Sequence, residues 1–192
     1  MPRAAENAER VEVRSRAELR AWLAEHHGQS ASVWLVIWKK HTGHYVEFGE
    51  LVEELLCWGW VDSQTRGVDT DRSSVLIARR NPRSAWSAVN KAKVAAARAS
   101  GAMTSAGEAL VAAAQASGMW SFLDEVERLE RPEDLTDALG DALAAWEAWP
   151  RSVKRGTLEW IKTARTAPTR ARRIAEAAAA AREGRRPAPF AR

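Results

Sequence analysis

Residues 57–90 read CWGWVDSQTRGVDTDRSSVLIARRNPRSAWSAVN and contain three of the ten tryptophans of the chain. Two runs in this stretch have the spacing and composition of strands, and the acidic turn Asp69-Thr70-Asp71 lies between them. The pattern predicts a hairpin of two strands, over residues 60–67 and 73–80. Because side chains alternate along a strand, one polar face of the first strand is predicted to carry Trp60, Asp62, Gln64 and Arg66.

This polar face has two interpretations. If the hairpin is symmetric about its turn, Asp62 lies near Arg79, and an ion pair between them would fix the register of the two strands. Alternatively, Asp62 and Arg79 line a polar pocket together with Gln64 and Arg66. The pattern by itself leaves both interpretations open.

A helix is predicted to follow the hairpin. Asn81-Pro82 ends the second strand, and Ser84 can cap a helix over roughly residues 85–100. Trp86 and Asn90 then lie one turn apart, either as a hydrogen-bonded structural pair or as ligand contacts. Aromatic walls with a few convergent polar groups are typical of ligand pockets. We therefore expect an unknown small molecule or peptide to bind at a site formed by Trp60, Asp62, Gln64, Arg66, Arg79, Trp86 and Asn90.

The residues before this stretch predict a small sheet with packed helices. Val11 to Val13 alternates like a strand, Ser15 and Glu18 fit a capping box for a helix over about residues 16–27, and VWLVIW at 33–38 is typical of a strand buried on both faces. An amphipathic helix over about residues 47–57 is predicted to turn Glu50, Glu53 and Glu54 mostly away from its apolar face.

The residues that follow 57–90 are predicted to form helices and no strands. The expected signals are a capping box at Ser105 and Glu108, a first helical residue at Pro132, a break at Gly140, and caps at Ser152 and at Thr166 or Thr169. The fold class is therefore α+β, with a small mixed sheet and packed helices in residues 1–118. An all-helical portion is predicted over residues 119–187, followed by a short tail at 188–192.

Charge is distributed unevenly along the sequence. Residues 151–192 carry twelve Lys or Arg and three acidic residues, a net charge of +9, whereas residues 1–150 carry seventeen and twenty-two, a net charge of −5. Such a basic end could bind nucleic acid or another polyanion, or it could be solvated or pack against the acidic part of its own chain. The candidate phosphate contacts are Lys154, Arg155, Lys162, Arg170, Arg172 and Arg173.

No motif in the sequence predicts catalysis. Phosphate-binding glycine loops, paired zinc motifs and a dinucleotide fingerprint are absent, so we predict no cofactor and no catalytic residue. His41 and His44 lie in a turn without an evident third ligand, which disfavours a metal site. Cys57 is the only cysteine, and its apolar neighbours favour a buried, unreactive thiol.

The composition of the chain and the length of its apolar runs favour a soluble protein. A hydrophobic content of 46% and a charged content of 28% are ordinary for a globular domain. No apolar run approaches the roughly 18 residues that cross a bilayer, and the first residues lack the apolar stretch of a secretion signal. With one cysteine, the chain suits a reducing compartment, and we expect it in the cytoplasm.

Several motifs resemble one known family. CWGWVDSQ after an acidic helix, then NPRSAWSAVNKAKV and GAMTSAGEALVAAA, look like the YdeI/OmpD-associated family, also called OmdA or bacteriocin-protection proteins. The segment PRSVKRGTLEWIKTARTAPTRARRIAEAAAAAREGRRP resembles the helical segment of that family, and the resemblance extends from about residue 17 to 187.

The expected role is binding and not catalysis, because the sequence has a candidate ligand pocket and no catalytic motif. The family name implies protection against bacteriocins or cationic antimicrobial peptides, in association with an outer-membrane porin, and hence a possible protein partner. A net-positive protein repels a cationic peptide at long range unless its acidic part does the binding.

Overall fold

A computed structural model describes residues 8–191. The chain divides into two compact units, residues 1–121 and 122–192, so the division falls after Ser121. The N-terminal unit contains strands and helices and the C-terminal unit contains helices, which confirms the predicted α+β class.

The N-terminal unit alternates strands and helices in its first half and ends with two helices. Its elements are β1 (Glu9–Glu12), α1 (Arg16–His26), β2 (Val33–Trp38), α2 (Phe48–Cys57), β3 (Trp60–Gly67), β4 (Arg72–Arg79), α3 (Ala88–Ala99) and α4 (Ser105–Ala116). The strand order is β1-β2-β4-β3. β1 pairs with β2 in parallel and the other pairs are antiparallel, which confirms the predicted mixed sheet.

The main core of this unit lies between the sheet and helices α1 and α2. β2 is buried along most of its length, as its apolar sequence predicts. Removing these side chains from water contributes about 1.5–3 kcal/mol for each fully buried large aliphatic residue. These aliphatic residues include Leu19, Leu23, Val33, Leu35, Leu51, Leu55, Val75 and Ile77, and Trp60 packs with them.

Helix caps in the N-terminal unit match the sequence signals in part. Ser15 caps α1 as predicted, with its hydroxyl accepting from Glu18 N. The helix predicted from residue 85 begins instead at Ala88 and is capped by Ser87. The backbone N–H of Trp86 donates to the Met119 carbonyl, which holds the preceding residues outside the helix. Likewise, the cap of α4 is Thr104 and not Ser105.

Five α-helices and two short 3-10 helices, Gly140–Ala142 and Ala188–Phe190, form the described part of the C-terminal unit. The α-helices are α5 (Asp124–Glu127), α6 (Glu133–Leu139), α7 (Leu143–Glu147), α8 (Arg151–Lys162) and α9 (Ala167–Arg182). Gly140 separates α6 from α7 with a positive φ of 49°, as the predicted break requires. Thr166 caps α9 as predicted. The predicted cap Ser152 is wrong, because α8 begins at Arg151, directly after Pro150. Pro132 was predicted as the first residue of α6, but the helix begins one residue later.

The C-terminal unit has its own core. α9 packs against α6, α7 and α8, and its four buried alanines allow a close approach of the helices. The end of the chain is part of this unit, because the ring of Phe190 lies directly over Gly156 and occupies the space that a side chain would need there. Within residues 8–191, no helix combines the length and apolarity needed to cross a bilayer.

Candidate functional site

Trp60 is a core residue. Its side chain is fully buried, its indole Nε1 donates to the His27 carbonyl at 3.1 Å, and its ring meets Trp22 edge-on. It packs with the helices of the N-terminal unit and is closed to a ligand in this arrangement. It therefore supports the site by packing alone.

A β-bulge divides the predicted polar face of β3. Asp62 lies opposite Ile77 and Thr65 lies opposite Val75, so Ser63 and Gln64 together face the single residue Leu76. The extra residue shifts the alternation and places Arg66 on the opposite face from Asp62. The predicted single face of Trp60, Asp62, Gln64 and Arg66 is therefore wrong beyond Asp62.

The two halves of this face have different surroundings. The Arg66 guanidinium lies over the ring of Trp34, 4.4 Å from its centroid, while the Gln64 side chain is exposed. Arg79 lies opposite Trp60, and Asp62 pairs with Ile77. No salt bridge joins Asp62 to Arg79 among the described residues, so the predicted ion pair is wrong. The turn is instead held by Asp69, whose carboxylate accepts from the Arg72 side chain and backbone.

Trp86 and Asn90 lie on either side of the start of α3. Asn90 is half-buried in the first turn, where its N–H donates to the cap hydroxyl of Ser87 at 3.3 Å. Trp86 precedes the helix and is buried, with its ring against Trp120. The predicted pairing of Trp86 and Asn90 on one helical face is therefore wrong, because the helix starts too late.

Arg80 is the residue of this region that the sequence analysis missed. Its guanidinium stacks on Trp86 at 4.0 Å, its Nη2 donates to the Ala85 carbonyl at 2.6 Å, and its side chain is buried. Its pKa is lowered because burial disfavours the charged form. The run of three arginines in five residues was the only available signal.

A polar groove between α1 and α2 in the N-terminal unit is lined by a network of ion pairs. The carboxylate of Glu54 is buried and accepts from Arg16 Nε at 2.8 Å, from Arg20 Nη1 at 2.7 Å and from Trp58 Nε1 at 3.1 Å. Glu54 was predicted to face mostly away from the core, and that prediction is wrong because these three donors satisfy its charge. A fully satisfied network of this kind stabilises a fold without needing a ligand.

The cysteine and two of the histidines of the N-terminal unit lie in separate surroundings. Burial raises the pKa of the Cys57 thiol to about 11, so the thiol is protonated at neutral pH. His41 contacts Asp71 at 3.0 Å, and the ring of His44 packs against Trp38. Within residues 8–191, no three His, Cys, Asp or Glu side chains are grouped as metal ligands.

The C-terminal unit contains a cavity of about 260 Å³. Its apolar floor is formed by residues that are themselves largely buried, and its rim is charged. The floor consists of Val126, Pro132, Leu158 and Ile161, and the rim consists of Glu125, Glu130, Arg131, Lys162 and Arg170. An apolar floor below convergent polar groups is the usual composition of a small-ligand site.

Ion pairs set the electrostatics of the rim. Glu125 contacts Lys162 at 2.5 Å, and Glu130 contacts Arg128 at 2.5 Å. The hydrogen bond from Arg128 lowers the pKa of Glu130, which therefore stays ionised at neutral pH. The Glu125 and Glu130 side chains are 60% and 52% exposed, against 26% for Lys162, so the carboxylates extend further into solvent.

The basic residues predicted as phosphate contacts are mostly engaged within the C-terminal unit. Lys154 pairs with Glu147, Arg155 with Glu127 and Glu159, Lys162 with Glu125, and Arg170 with Asp134. Arg173 lies over the ring of Trp160 and donates to its carbonyl. Arg172 is exposed and has no ion-pair partner among the described residues.

The two units match different protein families. Residues 11–110, just over half of the chain, match the family described as Domain of unknown function (DUF8412). The chain belongs to this family. Residues 128–184 match the family described as Bacteriocin-protection, YdeI or OmpD-Associated (OmdA), which confirms the resemblance of the C-terminal segment. The motifs CWGWVDSQ and NPRSAWSAVNKAKV lie within the DUF8412 match.

Comparison with individual proteins adds no information on function. Neither a curated protein nor a solved structure matches the chain significantly. The family assignments therefore identify the chain without identifying its ligand.

Proposed function

We propose that the chain is a non-enzymatic binding protein, and that its C-terminal unit takes an apolar side chain of a cationic peptide into the cavity. We call this unit, which contains the OmdA match, the OmdA unit. The observation that carries this proposal is an apolar floor beneath a rim whose carboxylates extend further into solvent than Lys162 does. This would link the chain to protection against bacteriocins, which the description of the OmdA family names for that family.

The size of the cavity favours a side chain over a whole small molecule. Drug-sized ligands occupy pockets of roughly 300–1,000 Å³. The cavity holds about 260 Å³, which suits one large apolar side chain with little space to spare. A peptide could then bind by inserting a single residue while its remaining residues contact the rim.

The rim combines two carboxylates with three cations, and the carboxylates are its more exposed groups. The side chains of Glu125 and Glu130 are 60% and 52% exposed, whereas those of the rim cations Arg131, Lys162 and Arg170 are 27%, 26% and 33% exposed. A Lys or Arg of the ligand can therefore approach the carboxylates without first displacing a buried group. The C-terminal unit carries fourteen basic and twelve acidic residues, a net charge of +2, which gives no long-range attraction for a cation. Binding would therefore depend on direct contact at the rim.

Polyanion binding through the basic helices has less support. Four of the six candidate cations are paired with carboxylates of the same unit, and these pairs must be broken or shared before a phosphate can use their charge.

The test is calorimetric titration of the full chain with two blocked peptides of identical length. One contains a Phe flanked by lysines, and the other contains the same Phe flanked by glutamines. We expect the first to bind more tightly, and at a hundred times its dissociation constant it should stabilise the protein by about 2.7 kcal/mol. Leu158→Phe, which fills the cavity, should abolish binding of the basic peptide.

A matched pair of variants tests the rim. Glu130 and Glu183 are similarly exposed, and each pairs at 2.5 Å with an arginine two residues away, but only Glu130 lines the cavity. Glu130→Gln should weaken binding of the basic peptide several-fold, and Glu183→Gln should leave it unchanged. Equal binding of both peptides, or equal effects of both variants, would contradict the proposal.

A further inference from the structure

The loop between β4 and α3 contains a buried positive charge without a counter-charge. Arg80 is 7% exposed, and no carboxylate lies within ion-pair distance of it among the described residues. Its Nε is buried and lacks a hydrogen-bond partner among residues 8–191. Buried charges in proteins are normally paired, since desolvation without a partner is costly.

The two neighbouring arginines are also unpaired. Arg79 and Arg83 are exposed, and neither has a carboxylate partner in the part of the chain that the structure describes. Other arginines of the same unit do have one, namely Arg14, Arg16, Arg20, Arg72 and Arg98. Arg10 and Arg66 also lack a carboxylate partner among the described residues, but each stands apart from other arginines in the sequence, whereas three such arginines fall within residues 79–83.

The loop that holds these arginines is closed and ordered by its own contacts. We name residues 80–86 the Arg80 loop. The Arg80 side chain closes it by donating to the Ala85 carbonyl and stacking on Trp86. At its tip, the Asn81 side-chain oxygen accepts from Arg83 N at 2.9 Å, and the Asn81 carbonyl accepts from Ser84 N at 2.9 Å.

A packed aromatic platform fixes Arg80 within this loop. Trp86 lies against Trp120, with 5.1 Å between ring centroids, and its backbone N–H is bonded to Met119. The positive charge of Arg80 is thus held in place before any ligand arrives. A charge in a low-dielectric site is screened less than a charge on a mobile surface side chain.

The chemistry of the three side chains matches an oxyanion. Guanidinium groups recognise phosphate and carboxylate oxygens with paired N–H donors. Arg79 and Arg83 are four residues apart, so their Cα atoms are separated by at most about 14 Å, a span that two long side chains can close around one anion. Three unpaired positive charges match a doubly charged phosphate monoester better than a singly charged carboxylate.

We propose that Arg79 and Arg83 bind the phosphate group of a small ligand beside the Arg80 loop, with the buried Arg80 supplying a fixed positive charge behind them. This site lies in the N-terminal unit, which contains the DUF8412 match, and is independent of the cavity in the C-terminal unit. Substitutions at the cavity rim should leave it unaffected.

The test is titration of the full chain with inorganic phosphate and with phenyl phosphate at constant ionic strength, followed by calorimetry and by the NMR signals of the indole N–H groups. We expect saturable binding and a shift of the Trp86 signal. Arg79→Gln and Arg83→Gln should each weaken phosphate binding about tenfold, and Arg80→Met should abolish it. Arg172→Gln, which removes an exposed unpaired arginine of α9, is the matched control and should have no effect.

Several results would overturn this proposal. They are an absence of saturable phosphate binding, an equal affinity for acetate, or an equal loss in Arg172→Gln. Tight binding of a short single-stranded DNA that Arg83→Gln weakens, without binding of phenyl phosphate, would assign the loop to nucleic acid instead. If Arg80→Met fails to fold, the two exposed variants still decide the outcome.

Discussion

The two arginine-rich segments of this chain differ in whether any of their arginines contacts a carboxylate. On α8 and α9, Arg155 and Arg170 contact carboxylates of the same unit at 2.6–2.8 Å. In residues 79–83, three arginines have no carboxylate partner among the described residues. A run of basic residues in a sequence therefore shows where the positive charge is, but only the folded chain shows whether that charge is available to a partner.

The same comparison explains the uneven charge of the sequence. A division at residue 150 gives net charges of −5 and +9, but the acidic stretch before it belongs to the C-terminal unit. Divided after Ser121, the N-terminal unit has fifteen basic and thirteen acidic residues and the C-terminal unit has fourteen and twelve, so each has a net charge of +2. The basic helices pair with the acidic stretch, as one of the two interpretations of the sequence predicted.

Removing the buried carboxylate of a paired network should have the largest effect. Glu54→Gln leaves Arg16 and Arg20 partly buried without their shared counter-charge, and we expect the free energy of unfolding in urea to fall by about 3 kcal/mol. Glu53 makes a single ion pair with Arg16 and is more exposed, so Glu53→Gln should cost about 1 kcal/mol. Equal losses in the two variants would show that the burial of Glu54 is unimportant.

Within the C-terminal unit, a paired and an unpaired arginine should differ by a smaller amount. Arg155→Met removes contacts to Glu127 and Glu159, and Glu127 is only 19% exposed, so we expect a loss of about 1–2 kcal/mol. Arg172→Met removes an exposed side chain and should change stability by less than about 0.5 kcal/mol. The measurement is urea unfolding at low salt. Similar losses for both would contradict the contrast between paired and unpaired cations.

Acid should weaken the C-terminal unit through its ion pairs. Hydrogen bonds from Arg170 lower the pKa of Asp134, and hydrogen bonds from Lys154 lower the pKa of Glu147. Since each pKa is lower in the folded state, the stabilisation is complete above the ordinary carboxylate pKa of about 4 and is lost as the pH falls through the folded values.

The acid effect can be measured by unfolding between pH 7 and pH 2. Both carboxylates are about half exposed, so each pair contributes less than about 1 kcal/mol. Asp134→Asn should be slightly less stable than the original chain at pH 7 and equal to it at the lowest pH. A constant difference between the two proteins at every pH would assign the effect of Asp134→Asn to packing.

Local features of the sequence predicted most of the fold. The pattern correctly places the apolar run of β2, the caps Ser15 and Thr166, the break at Gly140 and strand β3, and it places β4 one residue late. These features depend on neighbouring residues and on the periods of strands and helices, which a sequence displays directly.

The candidate sites were less predictable, because each depends on contacts between distant residues. The bulge at Ser63 and Gln64 changes the face of Arg66, and strict alternation cannot show it. The late start of α3 depends on the bond from Trp86 to Met119, thirty-three residues away. The burial of Glu54 depends on two arginines of a different helix.

The sequence by itself determined the α+β class, most of the element positions and the family of the C-terminal segment, because these depend on local patterns. Only the tertiary structure decided which charges are neutralised, where an apolar cavity opens beneath Glu125 and Glu130, and that Arg80 is buried on Trp86 without a carboxylate partner in the described part of the chain. These properties depend on distances between residues far apart in the chain, and the interaction of charges depends on such distances and on burial.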